Sequence, residues 1–324
     1  MTHQHRGASR ARTRMSAACR LALAATLTIG LFQSPAGAVR AQTPAPREAP
    51  SPTQASAPNP ALWVVRDADS TLYLFGTVHF LRPTTEWESS RVTEAFDSAD
   101  LLVLEVADPN DQAALLPLIQ RHGLASDTPL SSLLTAEERA TLDAAARTIG
   151  ASAAALDGLR PWLAGVTLSA SSLVRAGYDP GSGADLILRA RAEAAGTPIA
   201  GLETPEDQIR MLAGFPEAGQ LTFLRRTLAE FDNALMIPDQ LVEAWATGDV
   251  EAIQALAVTP MRLESELIYQ TVLVERNLRW TDRIETLLEG SGTAFIAVGV
   301  LHLVGDDSVP AILRSRGVDV VIAP

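Results

Sequence analysis

Apolar positions along the chain follow two rhythms. Short unbroken runs of aliphatic, β-branched and aromatic residues stand at Leu62-Trp63-Val64-Val65, 72–75, Leu101-Leu102-Val103-Leu104, 198–202, 293–298 and 318–322. Runs of this length, bounded by Asp, Gly, Pro and Ser, predict buried strands. The first two are separated by Arg66-Asp67-Ala68-Asp69-Ser70 and predict a β-hairpin. Elsewhere apolar residues return every three or four positions, the spacing of a helix with one buried face. That spacing covers 86–98, most of 108–196, 205–289 in two or three helices, and 308–316. Local signals agree. Thr135-Ala136-Glu137-Glu138 has the form of a capping box, and Gly150 ends the helix it starts. Arg160-Pro161-Trp162 opens another, and the Gly-rich stretch 177–185 runs into a helix ending near Ala195. Thr204-Pro205-Glu206-Asp207 places proline and acids at a helix start. The fold class expected is α/β with α+β character: a central mixed β-sheet, flanking helices and a large helical insertion at about 108–196.

The N-terminus has a different pattern. Arg6, Arg10, Arg12 and Arg14 precede a short apolar run at 21–32, followed by small residues at Ala36-Gly37-Ala38 and Val39-Arg40-Ala41. This reads as a secretory signal peptide over 1–41, cleaved after Ala38 or Ala41 and too short to span a membrane. With no adjacent Arg-Arg pair, a Sec-type route to the periplasm or the exterior is expected. Residues 42–60, rich in Pro, Ala, Ser and Thr, read as a disordered tether, leaving 61–324 as the folded domain.

Removal of the leader changes the charge balance. The whole chain carries a net charge of −12, but the leader holds arginines and no acids, leaving 20 basic against 38 acidic residues, near −18. No lysine occurs, which excludes lysine-based catalysis, and the acidity argues against nucleic acid or an anionic lipid surface as partner. The single cysteine, Cys19, leaves with the leader, so any metal site must use His, Asp, Glu or backbone oxygen.

Candidate chemistry sits at the strand ends. Gly76-Thr77-Val78-His79 and Gly299-Val300-Leu301-His302 each follow an apolar run, placing an imidazole where α/β sheets build their sites. The runs at 101–104 and 198–202 end in carboxylates, Glu105 and Glu203. Two imidazoles and one or two carboxylates suit a catalytic divalent ion, with the second Glu as a further ligand or as base to a bound water. The opposing reading makes each a satisfied strand-end residue, and the spacing alone does not choose. Arg276 and Asn277 are either an exposed helix surface or a contact to a substrate oxyanion or carboxylate. Asp185 either caps its helix or points into the site. His122, before Gly123, reads as a helix C-terminal residue. Gly181-Ser182-Gly183 lacks the preceding strand that a serine-hydrolase elbow needs.

Several of these residues form a longer pattern. Leu62-Trp63, Tyr73-Leu74-Phe75-Gly76-Thr77-Val78-His79, 101–106, Gly201-Leu202-Glu203-Thr204 with Gln208, Glu275-Arg276-Asn277 and Val298-Gly299-Val300-Leu301-His302-Leu303 together resemble the TraB/GumN family, which includes the Tiki proteins. The resemblance runs in order from about residue 60 to the C-terminus. It implies an α/β core like that of erythromycin esterase and ChaN-like proteins, with a helical insertion. It also implies a metal-dependent hydrolase, most plausibly a peptidase, since Tiki members are metalloproteases favouring manganese or cobalt. By motif, the resemblance places His79, Glu105 and His302 as ligands to a divalent ion (Mn, Co or Zn), with Glu203, Arg276 and Asn277 in catalytic or substrate-steadying roles. The substrate expected is a peptide or a small molecule. A non-catalytic binder of such a ligand, or a ChaN-like haem or metal carrier, is the alternative on the same fold.

Overall fold

The computed structural model describes residues 57–125, 127–231 and 236–323. The expected signal peptide, its cleavage positions and residues 42–56 of the tether lie outside the described residues.

All six expected strands form and join one mixed sheet. They are β1 (Leu62–Arg66), β2 (Ser70–Thr77), β3 (Leu101–Leu104), β4 (Ile199–Gly201), β5 (Gly292–Gly299) and β6 (Val320–Ile322), in the order β4-β3-β5-β2-β1-β6. β1 and β2 form the expected hairpin, with Leu62 opposite Phe75 and Arg66 opposite Thr71. β2, β5, β3 and β4 pair in parallel, and β1 alone among the described strands runs opposite to the other five. Ala294–Val298 of β5 are buried, as a central parallel strand covered on both faces requires. The parallel pairing brings the C-terminal ends of β2, β5, β3 and β4 to one edge of the sheet.

The helices are α1 (Ser90–Asp97), α2 (Gln112–His122), α3 (Ala136–Thr148), α4 (Pro161–Arg175), α5 (Ala184–Ala195), α6 (Pro205–Ala213), α7 (Glu217–Glu230), α8 (Met236–Thr247), α9 (Glu275–Leu288) and α10 (Val309–Ser315), with shorter turns between them. α1 begins later than the apolar spacing suggested, because the Ser89 hydroxyl accepts the Val92 N–H and fixes the start there. The Thr135–Glu138 and Thr204–Asp207 capping boxes both form.

Over 205–289 the two or three expected helices become four, α6 to α9, and between α8 and α9 the chain takes a more broken path. Short helical pieces alternate with π-turns at Gln254–Val258 and Gln270–Val274. Two residues account for it. Pro260 lacks an N–H and enters just after the first π-turn. Ser265 is extended (φ −157, ψ 104) and caps the next piece through its hydroxyl to the Ile268 N–H.

Two hydrophobic cores result. One lies on the sheet and includes a ring cluster of Phe75, Trp87, Trp245 and Phe295. The other joins Leu115, Ile119, Leu142, Trp162, Leu163 and Leu168 of the helical insertion to Ile209, Leu224 and Leu228 of α6 and α7. His122 belongs to this second layer at the end of α2, where its carbonyl accepts N–H groups from Trp162 (3.0 Å) and Arg160 (3.2 Å). Among the described residues no helix is long and apolar enough to cross a membrane.

Candidate functional site

The glycines of the two Gly-x-x-His stretches are strand residues. In the β2–β5 register Gly76 pairs with Val298 and Thr77 with Gly299. Close approach explains both. A Cβ on Gly76 would lie 2.7 Å from Val300 Cγ2 and 3.0 Å from Val300 Cα. A Cβ on Gly299 would lie 3.0 Å from Glu105 Oε1, 3.6 Å from His302 Cδ2 and 3.7 Å from His79 Nε2. The space above Gly299 is thus where both imidazoles and Glu105 meet.

A loop carries the next residue in. Ala184 donates its N–H to the Val78 carbonyl (3.1 Å), and Gly183 packs so close that a Cβ would sit 2.3 Å from the His79 carbonyl oxygen. This seats Asp185, in the first turn of α5, beside His79, with His79 Nδ1 to Asp185 Oδ1 at 3.1 Å. Of the two readings of Asp185, the one that points into the site holds. Burial pushes the His79 imidazole down, but the charge and hydrogen bond of Asp185, then the charge of Glu105, outweigh it against Arg276 and hold it up at about 9.

Arg276 fills the other half. Its Nε donates to Glu203 Oε2 (3.2 Å), and Nη2 donates to Glu203 Oε1 (2.6 Å) and Glu105 Oε2 (2.6 Å). Its Nη1 donates to the Val272 carbonyl (3.3 Å), within the second π-turn, and to His302 Nε2 (3.0 Å). Every N–H of the guanidinium is therefore committed inside the protein. Arg276, Asn277, Glu203 and His302 are all buried. Asn277 donates through Nδ2 to the Asp307 carbonyl (2.7 Å), so its Oδ1 accepts the His302 Nδ1–H (2.6 Å). That fixes the tautomer and leaves Nε2 of His302 as the acceptor for Arg276. Burial, then the Arg276 charge, push His302 down to about 3, so it stays neutral. Glu105 also accepts N–H bonds from Gly299 (2.8 Å) and Gln208 (3.1 Å). Burial alone would raise its carboxyl, but the Arg276 and His79 charges and the Gly299 N–H hold it well below the usual range.

These allocations divide the expected site residues. His79, Glu105 and Asp185 line a cavity of about 90 Å³ with Thr77, Gln208 and the apolar Phe80, Val106 and Leu186. Arg276 has no donor left for a substrate, contrary to the role expected of it, and both oxygens of Glu203 are held by Arg276 rather than free to serve as base. Asn277 orients His302. The expected ion-binding set of His79, Glu105 and His302 also meets a difficulty of donor chemistry: the His302 lone pair is spent on Arg276, whose positive charge already sits against Glu105. Among the described residues no group of three or more His, Cys, Asp or Glu is arranged to hold a metal ion. Thr77 has no sequence signal beyond its place inside the Gly-x-x-His stretch, and Gln208 none beyond the family pattern. Asp185 had a local signal, an acid in the first turn after a Gly-rich loop.

A profile of the TraB/PrgY/gumN family matches residues 61–322. The chain belongs to that family. A protein of Escherichia coli (strain K12) named "Uncharacterized protein YbaP" is 24% identical over 257 residues, covering 79% of this chain and 92% of that protein. An "Uncharacterized protein" of Treponema pallidum (strain Nichols) is 22% identical over 270 residues, covering 78% and 80%. No solved structure matches. Family membership names no reaction.

The buried half of the site makes the fold acid-sensitive. Unfolded, a histidine binds a proton below about 6.5, whereas folded His302 resists until about 3. Glu105 adds to this below the ordinary carboxylate range, because its folded form also takes up the proton late. The unfolded state thus binds more protons as pH falls, and stability drops. His79 is raised, so its contribution is already complete below about 6.5 and adds no slope there. The thermal midpoint is expected to fall steadily from pH 6.5 towards 3.5. A midpoint flat to pH 4 would contradict this account of His302.

Proposed function

We propose that this protein is an exported hydrolase of amide or ester bonds, a peptidase, in which His79, oriented by Asp185, takes the proton of an attacking water. One observation carries the reading: His79 holds Asp185 through Nδ1 while Nε2 faces the cavity beside Glu105. A carboxylate behind an imidazole fixes its tautomer and supports its charged form. In the step proposed, the water oxygen attacks the carbonyl carbon and its proton passes to His79 Nε2. The same proton then goes to the leaving nitrogen or oxygen as the carbon–heteroatom bond breaks, and Asp185 stays ionised throughout. Arg276 and Asn277 act through others, holding Glu105, Glu203 and His302 in place. The basic-then-apolar leader supports export to the periplasm or beyond.

A second reading keeps the divalent ion, favoured by the approach of His79 Nε2 and Glu105 Oε1 to the same space above Gly299. It rests on two protein donors and not on the expected three. The test assays the purified mature protein on short-chain p-nitrophenyl esters and a fluorogenic peptide library, before and after EDTA and with manganese, cobalt or zinc added. The proposal expects turnover that is absent from His79→Ala and survives EDTA. Turnover lost to EDTA and restored by one metal favours the second reading. No turnover on any substrate overturns both and leaves a binding protein.

A further inference from the structure

As water adds to a carbonyl, negative charge gathers on the carbonyl oxygen, and a donor aimed at that oxygen is usually the largest single contribution to rate. Most donors around the cavity are spent. Arg276 commits every N–H, the Gly299 N–H goes to Glu105, and the Ala184 N–H goes to the Val78 carbonyl. Among the described residues lining the cavity, three side chains can donate: Thr77, His79 and Gln208. The Thr77 hydroxyl is shut away inside the protein, and His79 serves the water. Gln208 remains. Its position follows from the chain: Glu203 follows β4, the Thr204–Asp207 capping box starts α6 at once, and Gln208 stands one turn in, beside Ile209 of the second core. Gln208 is half-buried, and its Nε2 donates to Glu105 Oε2 (3.1 Å). Ionised Glu105 can only accept, so the amide nitrogen is the atom that faces it. A primary amide carries two N–H groups, and among the described residues neither the second N–H nor Oε1 of Gln208 has a partner. The other oxygen of the same carboxylate, Glu105 Oε1, borders the space over Gly299 that His79 Nε2 also faces. One carboxylate thus stands between the base and the amide, in a cavity of about 90 Å³.

We propose that Gln208 is the catalytic residue that holds the substrate carbonyl oxygen, its second Nε2–H donating to the charge that develops there. The inference rests on the hydrolase reading above and deepens it. As the water oxygen bonds to the carbonyl carbon, the C=O π pair moves onto the oxygen, where Gln208 meets it. When the leaving nitrogen or oxygen departs with the proton from His79, that pair returns and the carbonyl reforms. Gln208 neither gives nor takes a proton in the step. Its bond to Glu105 fixes which way the amide points.

The test compares Gln208→Met and Gln208→Glu with wild type and His79→Ala on the same ester and peptide substrates, with thermal midpoints measured alongside. Gln208→Met keeps the length and removes the donors. Its kcat should fall about 10²- to 10³-fold, the cost of removing one oxyanion donor, with KM and the pH profile unchanged. Gln208→Glu separates the two hydrogen bonds. Adjacent carboxylates share one proton, so this variant keeps a bond to Glu105 but has no second donor, and its kcat should stay as low as that of Gln208→Met. Recovery of kcat in Gln208→Glu would make Gln208 a support for Glu105 and overturn the proposal. If wild type turns over, His79→Ala does not, and Gln208→Met keeps wild-type kcat, the Gln208 proposal falls alone. A lowered midpoint in Gln208→Met, with kcat reduced only in proportion to the folded fraction, also overturns it. Absence of turnover in wild type removes both this proposal and the reading beneath it.

Discussion

Replacing Arg276 with methionine is expected to cost about 3–5 kcal/mol of folding stability, the range for removing one partner of a buried ion pair. The methylene stem of Arg276 is of similar length, so apolar packing changes little. The loss is electrostatic. Glu105 and Glu203, both largely shielded from water, would face each other without the cation between them, and His302 Nε2 would lose its donor. Two buried carboxylates cannot both stay ionised there, so at least one would take up a proton near neutral pH. Coupling identifies the cause. Adding Glu203→Gln to Arg276→Met removes one uncompensated charge and should restore part of the stability, giving a non-additive double-mutant cycle in urea denaturation. A cycle that closes additively, or a single variant as stable as wild type, would show that Arg276 does not hold this cluster. Loss of activity in Arg276→Met would follow from disorder of Glu105 and carry no claim of contact with substrate.

Arg276 also marks where reading the chain stops. The strands were legible because each is a short apolar run closed by a breaker, and parallel interior strands need no alternation. Convergence of the four strand-end residues follows from placing those strands in parallel, an arrangement that strands alternating with helices favour. What the residues do for one another was not legible. Whether an imidazole offers its lone pair to an ion or to a guanidinium depends on a side chain that arrives from α9, past a π-turn no periodicity announces. Asn277, adjacent to Arg276, looks from the sequence like a second candidate for a substrate contact. In three dimensions it is the hydrogen-bond acceptor that sets the tautomer of His302. Hydrophobic pattern specifies which residues meet, and hydrogen-bond allocation among them is decided only once they have met.

The other large effect belongs to His79. His79→Asn is expected to lower kcat by about 10²–10⁴-fold, the usual worth of a positioned general base, and the pH profile should identify its role. The working form of a base is unprotonated, and Asp185 holds the His79 imidazole up at about 9. Below that value the unprotonated fraction falls about tenfold per pH unit, so kcat/KM should climb from pH 6 and level off near 9. Asp185→Asn supplies the control. It removes the charge and the accepting oxygen that raise His79, while the burial that lowers it remains, so the inflection should move to more acid pH. The plateau should fall as well, because the imidazole loses the partner that fixes its tautomer. Rate at pH 6 would then drop less than rate at pH 9, a split that simple unfolding would not produce. An inflection that stays near 9 in Asp185→Asn would place the titrating group elsewhere. A profile that declines above 9 would make His79 the acid of the reaction, with another group acting on the water.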